Sequence, residues 1–178
     1  SITAYGRINS VDFNGDFNGN LVSYSGGIGS VRITNGSFRP GNRIEAQDGS
    51  IDSVLVTGGH LMGSIIAEEN IGTVIVAPGA DGFWGDIGIN PNLSQFVRFD
   101  NLRNQMPPGV APDPTFQGPR IQAGGNISLV DVQRASMWES SIVAGFSVSR
   151  VHVYGVILND NVTPGIGGSY VVAGDSIG

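Results

Sequence analysis

Apolar positions along this chain recur in two short alternating patterns. The first is Ile-x-x-Val-x-Val. It occurs at Ile8/Val11/Phe13, Ile28/Val31/Ile33, Ile51/Val54/Val56, Ile71/Val74/Val76 and Ile127/Val130/Val132, and again at Val148/Val151/Val153. Its starts at 8, 28, 51 and 71 are 20, 23 and 20 residues apart, and those at 127 and 148 are 21 apart. The second pattern is Ser-apolar-x-Ala-Gly, clearest at Ser64 to Ala67, Ser141 to Gly145 and Tyr170 to Gly174. Weaker copies stand at Ile2 to Ala4, Leu21 to Ser23, Ile44 to Ala46 and Ile121 to Gly124. An Asx residue often follows (Asp48, Asn70, Asn126, Asp175), and such residues suit a corner because they tolerate left-handed backbone and form local turns. Period-two alternation with β-branched enrichment predicts strands for both patterns.

Strands this short are not stable alone. A repeat of about 20 residues signals that equivalent strands stack, each coil supplying backbone partners to the next. Stacking aligns Val31, Val54, Val74, Val130 and Val151 into an inward column. The predicted fold is therefore all-β: one right-handed parallel β-helix over residues 1–178, with about seven coils. At the ordinary strand spacing of about 4.8 Å, seven coils make a rod of roughly 30 Å. A left-handed β-helix would need a strict hexapeptide period, and a propeller about 40 residues per blade; neither fits.

The positions between the inward residues face outward. In the first strand they are Asp12, Arg32, Leu55, Ile75, Asp131 and His152, and in the second Thr3, Val22, Glu45, Ile66, Gln122, Val143 and Val172. Exposed apolar patches mark interfaces, which makes Val22, Ile66, Val143 and Val172 candidate contacts for a partner chain. The alternative is that an inserted loop covers them.

Such a loop is available, because the repeat stops after Val76 and resumes near Ile121. The excursion, at about 78–120, is rich in proline (Pro78, Pro91, Pro107, Pro108, Pro112, Pro114, Pro119). It also carries Phe83, Trp84, Phe96, Phe99 and Phe116. Excursions of this length are unusual and often functional. Asn90-Pro91 followed by Leu93, Phe96 and Val97 predicts a short helix with Pro at its first position. The aromatics suit either packing on the solenoid or gripping a sugar ring, with Trp84 the leading candidate.

Composition narrows the partners. The 28 glycines among 178 residues point to many tight turns. The net charge is −6, all nine basic residues are arginine, and they are scattered. A nucleic-acid binder needs a clustered basic face, so no nucleic-acid partner is expected, and no polybasic membrane patch either. No apolar run reaches the roughly 18–20 residues of a membrane span. Cysteine is absent, which excludes disulfides and thiolate metal sites.

Candidate chemistry is sparse. Glycoside hydrolysis needs two carboxyls about 5–10 Å apart, yet the adjacent Glu68 and Glu69 fall at a coil corner, where solvated charge is expected. Asp131, Arg150 and His152 form the best constellation for acid–base work, and an outward ion pair accounts for them equally well. Asp12, Asn14 and Asp16 place oxygen ligands at alternate positions as a Ca²⁺ candidate. An EF-hand loop would need Gly at its sixth position, and Phe17 stands there. His60 and His152 lack a metal-ligand spacing. No catalytic residues and no cofactor are predicted, so an enzyme is not expected.

The sequences Ile28 to Ile33 (IGSVRI) and Ser64 to Ala67 (SIIA) resemble the repeats of large exported bacterial β-helix proteins: autotransporter passengers, filamentous adhesins and giant surface proteins. The resemblance covers nearly all of the chain except the excursion. It implies a structural or adhesive solenoid, extracellular or at the bacterial cell surface, and supplies no catalytic residues. Carbohydrate binding or cleavage, with surface glycans as ligand, is the alternative. The chain starts at Ser1 within a second-strand pattern and ends after another. The expectation is a piece of a longer solenoid, or a unit that self-associates end to end.

Overall fold

The fold is a parallel β-solenoid, seen in a computed structural model that describes residues 1–80, 87, 119–133, 137, 140–153 and 170–178. Strands alternate between two sheets, except that β12 and β13 both lie in the second. They are β1 (Ile2–Ala4), β2 (Ile8–Asn14), β3 (Leu21–Ser23), β4 (Ile28–Thr34), β5 (Arg43–Ala46), β6 (Ile51–Thr57), β7 (Ser64–Ala67) and β8 (Ile71–Ala77). There follow β9 (Arg120–Ala123), β10 (Ile127–Val132), β11 (Ser141–Ala144), β12 (Ser147–Val148), β13 (Val151–Val153), β14 (Tyr170–Ala173) and β15 (Ser176–Ile177). The first sheet runs β1-β3-β5-β7-β9-β11-β14 and the second β2-β4-β6-β8-β10-β12-β15, with β13 also paired to β10. Every strand pairing among the described residues is parallel.

The register matches the repeat. Ile28 pairs with Ile8 and Ile51, and Val31 with Val11 and Val54. The same columns continue through Ile71 and Val74 to Ile127 and Val130. Ile28, Ile51, Ile71 and Ile127 are fully buried, as are Ile44, Ile65 and Ile142 of the first sheet. Burial of each such side chain contributes about 1.5–3 kcal/mol. Alternation is broken at one step, because the Ile and Val columns stand three positions apart rather than two. Coils approach closely at that step: a Cβ on Gly72 would lie 2.2 Å from the Asp52 carbonyl oxygen.

A third side closes five of the turns among the described residues. Single-residue bridges link Phe17, Phe38, Leu61, Ile87 and Met137 in a column. Phe13, Phe17 and Phe38 stack at its start, with ring centroids 4.0 and 5.3 Å apart. Counted by complete three-sided turns, the described solenoid has about five turns rather than about seven. Strand motifs alone overcount, since β11 to β15 extend the sheets without a described third side. Ile87, inside the stretch expected to leave the solenoid at 78, is fully buried and is the fourth member of this column. The helix expected at 90–97 lies outside the described residues.

Candidate functional site

The predicted site residues divide into three groups. Phe83, Trp84, Phe96, Phe99 and Phe116 lie outside the described residues. Val22, Ile66, Val143 and Val172 fall in one register column of the first sheet, together with Glu45 and Gln122. Along that column apolar and polar residues interleave. Val22 is buried, while Ile66 and Val143 are half-buried. The backbone places Val172 beside Val143.

The third group, Asp12, Asn14 and Asp16, is engaged by the following turn. Asp12 Oδ1 lies 3.7 Å from Arg32 Nε. Asn14 Oδ1 accepts from Asn35 Nδ2 at 3.1 Å. Asp16 Oδ1 accepts from the Ser37 backbone N–H at 2.8 Å, and its Oδ2 is gripped by the Arg39 guanidinium. Partial burial raises the Asp16 pKa. The Ser37 hydrogen bond and the charge and hydrogen bond of Arg39 outweigh this and hold it below the usual carboxylate value. Asp16, Asn18, Arg39 and Pro40 line a shallow open depression on this edge. Among the described residues no group of three or more His, Asp or Glu is placed to hold a metal ion.

Asp131 and His152 are neighbours in register on β10 and β13. Gln133 Nε2 donates to Asp131 Oδ2 at 2.8 Å. Arg150, two positions before His152, is exposed, and its carbonyl accepts the Val130 N–H at 3.0 Å. Glu68 and Glu69 are exposed at the β7–β8 corner, where Glu69 Oε2 accepts from Ser50 Oγ at 3.0 Å.

The chemistry the structure adds is a system of corner ladders. At the edge entering the first sheet, Ser1 Oγ accepts the Asn20 N–H, Asn20 Oδ1 the Arg43 N–H, and Ser64 Oγ the Arg120 N–H, at 2.9–3.3 Å. After the second sheet, Asp16 accepts from Ser37, and Ser37 Oγ from the His60 N–H at 3.0 Å. Between the sheets, Ser50 Oγ accepts the Asn70 N–H at 3.3 Å, Asn70 Oδ1 the Asn126 N–H at 2.8 Å, and Asn126 Oδ1 the Ser147 N–H at 3.2 Å. In each of these the side-chain acceptor belongs to the earlier turn and the backbone donor to the later one. At these positions an Asx or Ser oxygen satisfies the corner amide, while other corner amides, such as those of Gly26 and Gly125, bond backbone carbonyls of adjacent turns. No family model, curated protein or solved structure matches this chain. The fold thus rests on its own geometry.

Sequence reasoning found Asn70 and Asn126 as corner residues but missed the direction of the ladders and the third edge. A signal for that edge was present: Asn14-Gly15-Asp16-Phe17 and Asn35-Gly36-Ser37-Phe38 repeat one motif 21 residues apart. One surface feature also went unnoticed. Tyr5 and Tyr24 occupy equivalent corner positions on successive turns, with ring centroids 5.3 Å apart. They are 84% and 42% exposed. Arg7, two residues beyond Tyr5, is fixed by Asp52 at 2.6 Å.

Proposed function

We propose that this chain is a structural or adhesive solenoid, displayed outside a bacterial cell or on its surface. The supporting observation is the one-way ladder of corner hydrogen bonds on all three edges. A rod built this way extends by repetition. An added turn, from the same chain or from another copy, meets side-chain acceptors on one side and backbone donors on the other. The resemblance of IGSVRI and SIIA to exported bacterial β-helix repeats supports the location. Two measurements test this reading. Antibody labelling of intact producing cells is expected to be positive, and labelling only after permeabilisation would refute surface display. Negative-stain imaging over a concentration series is expected to show rods that lengthen, whereas a fixed length would remove end-to-end growth.

A second reading, glycan binding, is favoured by the Tyr5–Tyr24 pair. Exposed aromatic rings with a polar tip offer apolar faces for sugar rings, and the Arg7–Asp52 pair stands beside them. A glycan array would show binding that Tyr5→Ala weakens, with Trp84→Ala testing the excursion separately. No signal from the unmodified chain on any sugar ends this reading.

A further inference from the structure

The outward face of the second sheet carries one central column whose residues, in turn order, are Asp12, Arg32, Leu55, Ile75, Asp131 and His152. Read forwards, the column is negative, positive, apolar, apolar, negative, imidazole. Read backwards, it sets the arginine against an aspartate and an apolar residue against an apolar one, with the first carboxylate opposite the imidazole. The flanking columns are made largely of small residues, among them Ser53, Thr57, Thr73 and Ala77, which allow a facing sheet to come close. Asp12 and Arg32 are exposed, and Leu55 and Ile75 are half-buried although they point away from the core.

We propose that this face binds a second copy of the same chain, forming a two-fold dimer with antiparallel rods. The axis lies in the interface, parallel to the strands, between the third and fourth turns. This operation sets Leu55 against Ile75 of the other copy, Arg32 against Asp131, and Asp12 against His152. Closed two-fold interfaces are self-complementary by construction. Complementary charge fixes register and excludes wrong pairings. The opposite choice, rods side by side in parallel, sets Asp12 on Asp12 and Arg32 on Arg32 and is repelled. Within one chain, Arg32 and Asp12 make only a 3.7 Å contact between largely exposed side chains. Such pairs are worth little, so Arg32 can turn to a partner at small cost. Six strands at about 4.8 Å, each presenting about 13 Å of its length, offer roughly 400 Å² per copy. That is below the standard interface size, so the dimer is weak and concentration-dependent.

The inference rests on the self-association part of the proposed function but is distinguishable from end-to-end growth, because a two-fold contact stops at two chains. The test is sedimentation equilibrium of full chains over a concentration series reaching millimolar. The unmodified chain is expected to approach twice the chain mass. Arg32→Asp alone and Asp131→Arg alone are each expected to weaken self-association roughly a hundredfold, since each creates like-charge contacts across the interface. Mixed in equal amounts, the two variants are expected to regain a dimer, because each then faces the opposite charge. Circular dichroism melts of both variants, whose changes are outward, control for folding. A chain that stays monomeric at the highest concentration overturns the proposal. Dimers that persist in both single variants, or variants that do not pair on mixing, overturn it as well. Open-ended growth that neither substitution alters overturns it too, while leaving the end-to-end reading intact.

Discussion

Between β3 and β4, and between β5 and β6, the chain takes four residues to cross from one sheet to the other. Between β7 and β8, and between β9 and β10, it takes three. The longer corners carry glycine in left-handed backbone, with φ of 87° at Gly26, 76° at Gly27 and 133° at Gly49. The shorter corners end on Asn70 and Asn126, whose side chains catch backbone amides of the next turn. Both kinds join the same sheets along the same edge of one rod. A solenoid corner must turn the chain through a fixed angle and satisfy its amides. The β3–β4 and β5–β6 corners meet the first demand with backbone freedom. The β7–β8 and β9–β10 corners meet the second with side-chain oxygen, with Ser50 Oγ at the end of the β5–β6 corner already catching the Asn70 amide. The two kinds should therefore fail differently: glycine corners by steric clash, asparagine corners by losing a hydrogen bond.

Gly27 is where the largest effect is expected. A Cβ there would lie 2.4 Å from the Ser50 carbonyl oxygen of the next turn, in addition to the strain of positive φ. Gly27→Ala should cost about 3 kcal/mol or more in denaturant unfolding, through overpacking against backbone that cannot yield. Gly41 separates the two causes: its φ is 74°, yet nothing lies within 4 Å of its Cβ position. Gly41→Ala should cost only the left-handed strain, about 1–2 kcal/mol. Equal losses at both sites would show that backbone strain alone governs the glycine corners.

The asparagine corners should give less. Asn126→Ala removes the acceptor for the Ser147 N–H and for Ser147 Oγ, which donates at 2.7 Å. The site is exposed, so water replaces part of what is lost. The expected cost is about 1 kcal/mol, read by the same unfolding curve. Asn126→Asp keeps the acceptor and should restore most of the loss. A loss at Asn126→Ala matching that at Gly27→Ala would erase the contrast between the two kinds of corner.

The same contrast explains what could be read from the sequence. The Ile and Val columns were legible because stacking repeats one residue type at one depth: Ile28, Ile51, Ile71 and Ile127 see the same surroundings. The column Phe17, Phe38, Leu61, Ile87 and Met137 was hidden, since each member is a single bridging residue and its type drifts from aromatic to aliphatic. Asp12, Asn14 and Asp16 alternate as cation ligands would, but their partners Arg32, Asn35, Ser37 and Arg39 come from the following turn. A local window cannot see a neighbour some 20 residues away. Trp84 and the aromatics near it lie where the repeat, and with it the sequence logic, lapses, whereas Tyr5 and Tyr24 sit inside the repeat but outside its apolar columns.

Asp16 offers the smallest effect and tests whether the third edge obeys the rule of the asparagine corners. Its carboxylate holds the Ser37 amide and the Arg39 guanidinium together, and its pKa is lowered in the fold. A depressed folded pKa gives stability that is complete above the unfolded carboxylate value, about 3.9. That contribution is lost as pH falls through the folded pKa. Asp16 is substantially exposed, at 42% of its side chain, so solvent screening limits the pair to less than about 1 kcal/mol. Asp16→Asn keeps an acceptor for the Ser37 N–H and removes only the charge. Its melting temperature should fall slightly at pH 7 and match that of the unmodified chain near pH 2. A difference that persists undiminished at pH 2 would mean that the edge depends on the shape of the side chain and not on its charge.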